Sequence, residues 1–235
     1  MKKLLIILIF SSFVSSELVL EITQGTDDPY RVAILPFKGD KKLSSDIENI
    51  VINNLKRSGE FTVFIAADLL SVPKNEEEIV FNDFRILNID YLVLGSISNG
   101  DVFYEIYDIK TGLKIRSSTV FGIPNKNRQL AHYVTDGIYE EITGIKGIAA
   151  TKILYVTQSD KYALVVADSD GENEQILLES SEPIISPTWS PDSKKVAYVS
   201  FETGMAKVFI QNISTVKREV VVENSSQISS PEWSP

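Results

Sequence analysis

The chain has 235 residues, of which 43% are hydrophobic and 23% are charged, a composition that is typical of globular proteins and leaves room for one or two domains. Its formal net charge is −9, so it lacks the basic excess that nucleic acid or an anionic membrane surface attracts, and we expect neither as a partner. The 235 residues contain no cysteine, which excludes disulfides and thiolate metal sites within them.

The first residues have the pattern of a secretory signal peptide. Two lysines precede an unbroken apolar run over residues 4–10, and small residues follow at 14–16. As a helix the apolar stretch from Leu4 to Val14 would span about 16 Å, against about 30 Å for a bilayer core, which disfavours the alternative of a membrane anchor. We therefore expect residues 1–16 to be cleaved. The mature chain would begin at Glu17, with a net charge of −11 and no insertion into the membrane.

The residues after the predicted cleavage site form a short strand pattern. Leu18, Leu20 and Ile22 alternate with other side chains, and turn-forming residues follow from Gly25 onward. A strand this short at a chain end detaches easily from a fold. The pattern predicts a mobile arm over residues 17–25.

Residues 26–147 alternate between strand and helix patterns and predict an α+β domain, a mixed sheet covered by helices. One helix is expected to begin at a capping box formed by Ser45 and Glu48 and to end before Gly59. A second, weaker helix over 78–87 would turn Ile79, Phe84 and Leu87 inward, and a long helix over 127–143 would end at Gly144. The predicted strands are 31–37, 61–65, 91–97, 102–109 and 113–121.

Few residues in the chain suggest catalytic or metal chemistry. The single histidine, His132, is predicted to lie on the polar face of the long helix, away from Val134 and in contact with water. The run Asp168-Ser169-Asp170-Gly171 is interpreted as a hairpin turn rather than a calcium loop, because it lacks the further ligands of an EF-hand. No nucleophile elbow, zinc-binding helix or phosphate-binding glycine loop occurs, so we expect no enzyme activity and no cofactor.

The hydrophobic pattern of the sequence changes from Lys152 onward. Helical periodicity ends there, and short strand patterns separated by polar turns follow. A Trp-Ser-Pro motif occurs twice, 44 residues apart, and this period is typical of β-propeller blades. The predicted boundary lies near Gly147, and residues 148–235 would form the first one to two blades of a truncated propeller. The repeat residues are Trp189, Ser190, Pro191 and Asp192, then Trp233, Ser234 and Pro235.

Three stretches, AILPF, EEITGIKG and SPTWSPDSKKVAYVSFETG, make the whole chain resemble the TolB family, the periplasmic propeller proteins of the Tol-Pal system. The resemblance implies an anticodon-binding-like N-terminal domain, a six-bladed propeller, a periplasmic location and a monomeric scaffold without catalysis. It also implies that the mature N-terminus binds TolA and that the propeller binds Pal, mainly through later blades, so no Pal-binding residue can be assigned. The residues implied for TolA are Glu17, Leu18, Leu20, Ile22 and Gly25.

Two functions remain open from the sequence. The first is the Tol-Pal scaffold, which would support outer-membrane integrity and invagination during cell division. The alternative is the propeller part of an exported serine peptidase whose catalytic domain is missing. The N-terminal domain and the EEITGIKG junction favour the scaffold, because a peptidase leaves them unexplained.

Overall fold

The computed structural model describes residues 28–223, 228 and 230–234, so the predicted signal peptide and the arm over 17–25 lie outside it. The helices in the described residues are α1 (Lys41–Arg57), α2 (Phe81–Ile86) and α3 (Asn127–Thr143), with single 3₁₀ turns at Ala66–Asp68 and Glu76–Glu78. The strands are β1 (Tyr30–Ile34), β2 (Phe61–Phe64), β3 (Tyr91–Ser98), β4 (Asp101–Asp108), β5 (Leu113–Val120), β6 (Lys152–Gln158), β7 (Tyr162–Asp168), β8 (Gln175–Ser180), β9 (Ile184–Trp189), β10 (Lys195–Ser200), β11 (Lys207–Asn212) and β12 (Arg218–Val222).

The N-terminal part is built on one five-stranded sheet with the order β2-β1-β3-β4-β5. Strand β1 pairs in parallel with β2 and β3, whereas β3, β4 and β5 form antiparallel hairpins. Asn99 and Gly100 have φ angles of 54° and 88° in the turn between β3 and β4, the left-handed geometry that tight hairpins require. The mixed sheet predicted from the sequence is confirmed.

Helices cover both faces of this sheet. On one face, α1 and α3 pack side by side, and the buried stripe of Leu130, Val134 and Ile138 on α3 agrees with the predicted periodicity. On the other face, Phe84 of α2 is buried, with Ile79 and Leu87 packed around it as predicted. The predicted helix over 78–87 is shorter than expected, because a 3₁₀ turn precedes it.

The predicted start of the first helix is wrong. Helix α1 begins one turn earlier, where the Asp40 carboxylate accepts a hydrogen bond from the Leu43 amide at 3.0 Å. Ser45 lies inside the helix, and Glu48 accepts a hydrogen bond from the Phe37 amide at 3.0 Å instead of closing a capping box. Gly39, with a φ of 138°, bends the chain immediately before this cap.

The C-terminal part is all β, as predicted for the start of a propeller. A three-stranded antiparallel sheet, β6-β7-β8, packs face to face on a four-stranded one, β12-β11-β10-β9. Leu164 and Leu177 of the first sheet and Tyr198 and Phe209 of the second are buried in their shared core. The two sheets are successive blades of an incomplete propeller. Among the described residues, no helix is both long enough and apolar enough to cross a bilayer.

Candidate functional site

The first Trp-Ser-Pro motif forms the turn between β9 and β10. Trp189 ends β9, pairs with Val196 of β10 and packs against the core shared by the two blades. Ser190 is buried, and its hydroxyl donates to the Asp192 carboxylate at 2.6 Å and accepts from the Lys195 amide at 2.9 Å. The motif therefore closes the turn through side-chain hydrogen bonds, which is a structural task rather than a catalytic one.

The second copy of the motif is described in part. The Trp233 side chain is partly buried, with its indole nitrogen enclosed, and Ser234 is exposed. Pro235 lies outside the described residues, as do all five residues assigned to TolA, namely Glu17, Leu18, Leu20, Ile22 and Gly25. The predicted arm thus stays a prediction.

The described residues do contain a dense polar cluster where the N-terminal part meets the first blade. Helix α3 presents a stripe of polar side chains at every fourth position, Arg128, His132 and Asp136, toward the chain that follows it. At the lower end of this stripe, the Asp136 carboxylate accepts hydrogen bonds from the Ala149 and Ala150 amides at 2.6 and 3.0 Å. Asp136 therefore fixes the linker to the helix.

Gly147 is the residue that makes this approach possible. A Cβ at position 147 would lie 2.6 Å from the Asp136 Cα and still closer to its carboxylate, well inside van der Waals contact. In the turn between β7 and β8, the Ser169 hydroxyl donates to the Ala149 carbonyl at 2.7 Å, so the first blade is attached to the same linker. The glycine at the end of the EEITGIKG stretch thus serves close packing.

At the upper end of the stripe, Arg128 binds the carboxylates of the β7–β8 turn. Its Nη2 contacts Asp170 Oδ2, and its Nε lies 3.5 Å from Asp168 Oδ2. The second oxygen of Asp168 accepts from Lys152 Nζ of β6 at 2.8 Å. We name the four residues Arg128, His132, Asp168 and Asp170 the junction cluster. Its two carboxylates are paired with Arg128 inside the cluster and with Lys152 beside it.

His132 is buried, and the prediction that it faces water is wrong. Only 2% of the residue is exposed, because α1 and the first blade enclose the face of α3 that would be solvated in an isolated domain. Its Nδ1 lies 2.8 Å from Asn54 Nδ2 of α1. Its Nε2 points toward the junction carboxylates, 3.7 Å from Asp168 Oδ2 and 3.9 Å from Asp170 Oδ2, without a hydrogen-bond partner among the described residues.

The hydrogen bonds around Asn54 decide where the His132 proton sits. Asn54 Oδ1 accepts from Arg57 Nη2 at 3.1 Å, so its amide nitrogen must face His132. That nitrogen also donates to Thr135 Oγ1, whose own hydroxyl donates to the Ala131 carbonyl. Nδ1 of His132 is therefore an acceptor, and the proton of the neutral ring lies on Nε2, aimed at the two carboxylates.

The charges of the cluster follow from these contacts. Burial lowers the pKa of His132, and the nearby aspartates only partly oppose this effect. Burial alone would raise the pKa of Asp168, but the hydrogen bond and charge of Lys152, together with His132, outweigh burial and hold that pKa below its usual value. At neutral pH the cluster thus combines a neutral His132 imidazole with an ionised Asp168 carboxylate.

His132, Asp168 and Asp170 could hold a metal ion on distance alone, since their ligand atoms lie within 4.8 Å of one another. Two features oppose a metal. Nε2 carries the proton that a metal would have to displace, while Nδ1 already accepts a hydrogen bond. The carboxylates are also bound by Arg128 and Lys152, so a divalent cation would add uncompensated positive charge.

The junction cluster was missed from the sequence, although two patterns could have indicated it. One is the spacing of Arg128, His132 and Asp136, which places three polar side chains on one face of a helix. The other is the pair of aspartates flanking Ser169 at a hairpin turn. Neither pattern shows its partner, because Arg128 and Asp170 are 42 residues apart in the chain.

Both parts of the chain match families of known proteins. A family model described as the TolB amino-terminal domain matches residues 18–115, and one described as the TolB beta propeller domain matches residues 139–235. The chain belongs to the TolB family. This membership confirms the resemblance inferred from the sequence and the fold of an α+β domain followed by propeller blades.

Individual TolB relatives give the same result. The chain is 40% identical over 230 residues to the Tol-Pal system protein TolB of Alcanivorax borkumensis, covering 94% of this chain and 53% of that protein. It is 35% identical to the TolB of Pseudomonas putida over 93% of this chain and 53% of that protein. The crystal structure of TolB from Acinetobacter baumannii superposes with a TM-score of 0.75 at 36% identity, covering 85% of this chain and 51% of that chain. The chain thus spans about half the length of its TolB relatives.

Proposed function

We propose that this chain is the first half of a periplasmic, non-catalytic scaffold of the Tol-Pal system. The observation that carries the proposal is that TolB family models match both parts of one chain, residues 18–115 and 139–235. Curated relatives over this range are named Tol-Pal system proteins. A match in the N-terminal domain favours the scaffold over an exported peptidase, because a peptidase propeller leaves that domain without a role.

In this proposal the arm over 17–25 binds TolA, and the propeller, including blades beyond this chain, binds Pal. The alternation of Leu18, Leu20 and Ile22 suits addition to the edge of a partner's sheet, where backbone hydrogen bonds give affinity and alternate side chains give specificity. Joining the two partners would support outer-membrane integrity and invagination during division.

A pull-down tests the arm directly. The mature chain from Glu17 is presented with the purified C-terminal domain of TolA from the same bacterium, and again after Leu20→Asp and Ile22→Asp. We expect the native chain to retain TolA and the double variant to lose it, because charged side chains cannot fill apolar pockets. Val19→Asp is the matched control, since alternate residues of a strand point to the opposite side.

The outcomes separate the possibilities. Retention of TolA by the native chain and by Val19→Asp, but not by the double variant, supports the assigned register. Equal binding by all three forms would contradict a role for the arm. Failure of the native chain to bind, with normal thermal unfolding, would contradict the assignment to TolA.

A further inference from the structure

The junction cluster joins two separately folded parts of the chain. Arg128 and His132 belong to α3, which packs on the five-stranded sheet, whereas Asp168 and Asp170 belong to the first blade. Asp168 is 8% exposed and His132 is 2% exposed, so both lie inside the contact between the parts. A cluster at this position contributes to the contact that holds the two parts together.

The cluster is poorly suited to remain stable if it is only half assembled. Separating the blade from α3 would leave the two carboxylates without Arg128 and would expose the His132 ring to water, where it gains a proton more readily. The paired state and the separated state therefore differ in charge pairing and in solvation. Such a difference favours two distinct positions of the first blade relative to α3 over a continuous range of positions.

We propose that the junction cluster is an interdomain latch, which holds α3 against the first blade and whose release lets the N-terminal domain and the propeller move apart. This inference goes beyond the proposed scaffold function and does not depend on it, because the latch is contained in this chain and needs no partner. The contacts of Asp136 and Ser169 with the linker would act as the hinge, since both side chains bind the same linker residue, Ala149.

Distance measurement between spin labels tests the latch. The chain has no native cysteine, so Asn49→Cys on α1 and Ser159→Cys in the β6–β7 turn, both exposed, can be labelled specifically. Pulsed electron paramagnetic resonance on the labelled mature chain should give one narrow distribution of distances between the two labels. Asp170→Asn removes one charge while keeping the oxygen that accepts from the Glu172 amide at 3.2 Å. We expect it to add a second, longer component.

The control is Glu172→Gln in the same turn, which removes the same charge from an exposed side chain that makes no ion pair with α3 among the described residues. Arg128→Gln should reproduce the effect of Asp170→Asn, and the double variant should add nothing further, because either change breaks the same pair. A distribution that stays single in Asp170→Asn and Arg128→Gln would overturn the latch. So would equal broadening in Glu172→Gln.

Discussion

At the scale of single residues, His132 is the most unusual side chain of the described structure. It is almost completely buried, accepts a hydrogen bond at Nδ1 and keeps its pKa below the usual 6.5. An unfolded chain therefore binds a proton at His132 more readily than the folded chain does. Stability from this residue is complete above about pH 6.5 and is lost as the pH falls below that value.

The charged groups that face the ring are Arg57 of α1, Arg128 of α3, Asp168 and Asp170 of the first blade, and Lys152 of β6 through Asp168.

A neutral substitute for His132 should remove this pH dependence. Glutamine can place an N–H near the position of Nε2 but cannot titrate, so His132→Gln should lose less stability on acidification than the native chain. Urea unfolding at about pH 7.5 and about pH 5.5 measures the difference. The same loss in both proteins would show that His132 does not titrate with folding.

The approach of the linker to α3 gives a second prediction at this scale. Gly147→Ala forces the Asp136 carboxylate away from the Ala149 and Ala150 amides, so we expect a loss of about 1–3 kcal/mol in the free energy of unfolding. Gly144→Ala is the control, because Gly144 has open space around it and a φ of 72°. It should cost only the left-handed strain of about 1–2 kcal/mol. Asp136→Asn in addition to Gly147→Ala should cost little more, because Gly147→Ala has already separated the carboxylate from the two amides.

At the scale of elements, the two blades are joined by a buried polar bridge as well as by apolar packing. Gln211 of β11 is 1% exposed, donates to the Leu177 carbonyl of β8 at 2.8 Å and accepts from the Tyr198 hydroxyl at 2.8 Å. Both partners are enclosed, so neither can turn to water instead. The bridge fixes the register of one blade against the next.

Removing the bridge should therefore cost more than removing one of its hydrogen bonds. Gln211→Leu leaves a carbonyl and a hydroxyl unpaired, and we expect a loss of about 2–5 kcal/mol in the free energy of unfolding. Tyr198→Phe is the matched variant, because it removes one donor only and should cost about 1–2 kcal/mol. Urea unfolding followed by tryptophan fluorescence measures both. Similar small losses would show that the bridge does not hold the blades.

Element types were predictable because they depend on nearby residues. The stripe of Leu130, Val134 and Ile138 indicated α3, and the turn at Asn99-Gly100 indicated the hairpin between β3 and β4. The start of α1 was not predictable in this way. Asp40 and Ser45 are both residue types that cap helices well, and the structure uses Asp40.

At the scale of the whole molecule, the features that the sequence did not predict are those formed between the two parts. Periodicity placed His132 on the polar face of α3, which is correct for the helix alone. The first blade then covers that face, so the histidine is buried. The repeat from Trp189 to Trp233 identified the blades, because each blade repeats a local pattern. The contact of Arg128 with Asp170 follows from how the parts meet, which no local pattern encodes.

The scaffold proposed for the whole protein requires that the arm act in the living cell. The most direct measurement is leakage of a periplasmic enzyme into the medium after Leu20→Asp and Ile22→Asp are introduced into the gene for this protein in its own bacterium. We predict leakage close to that of a strain lacking the gene, and none with Val19→Asp. An intact envelope in the double variant, in a strain whose gene deletion does leak, would contradict the arm as the link to TolA. An intact envelope in the deletion strain would contradict the scaffold role itself.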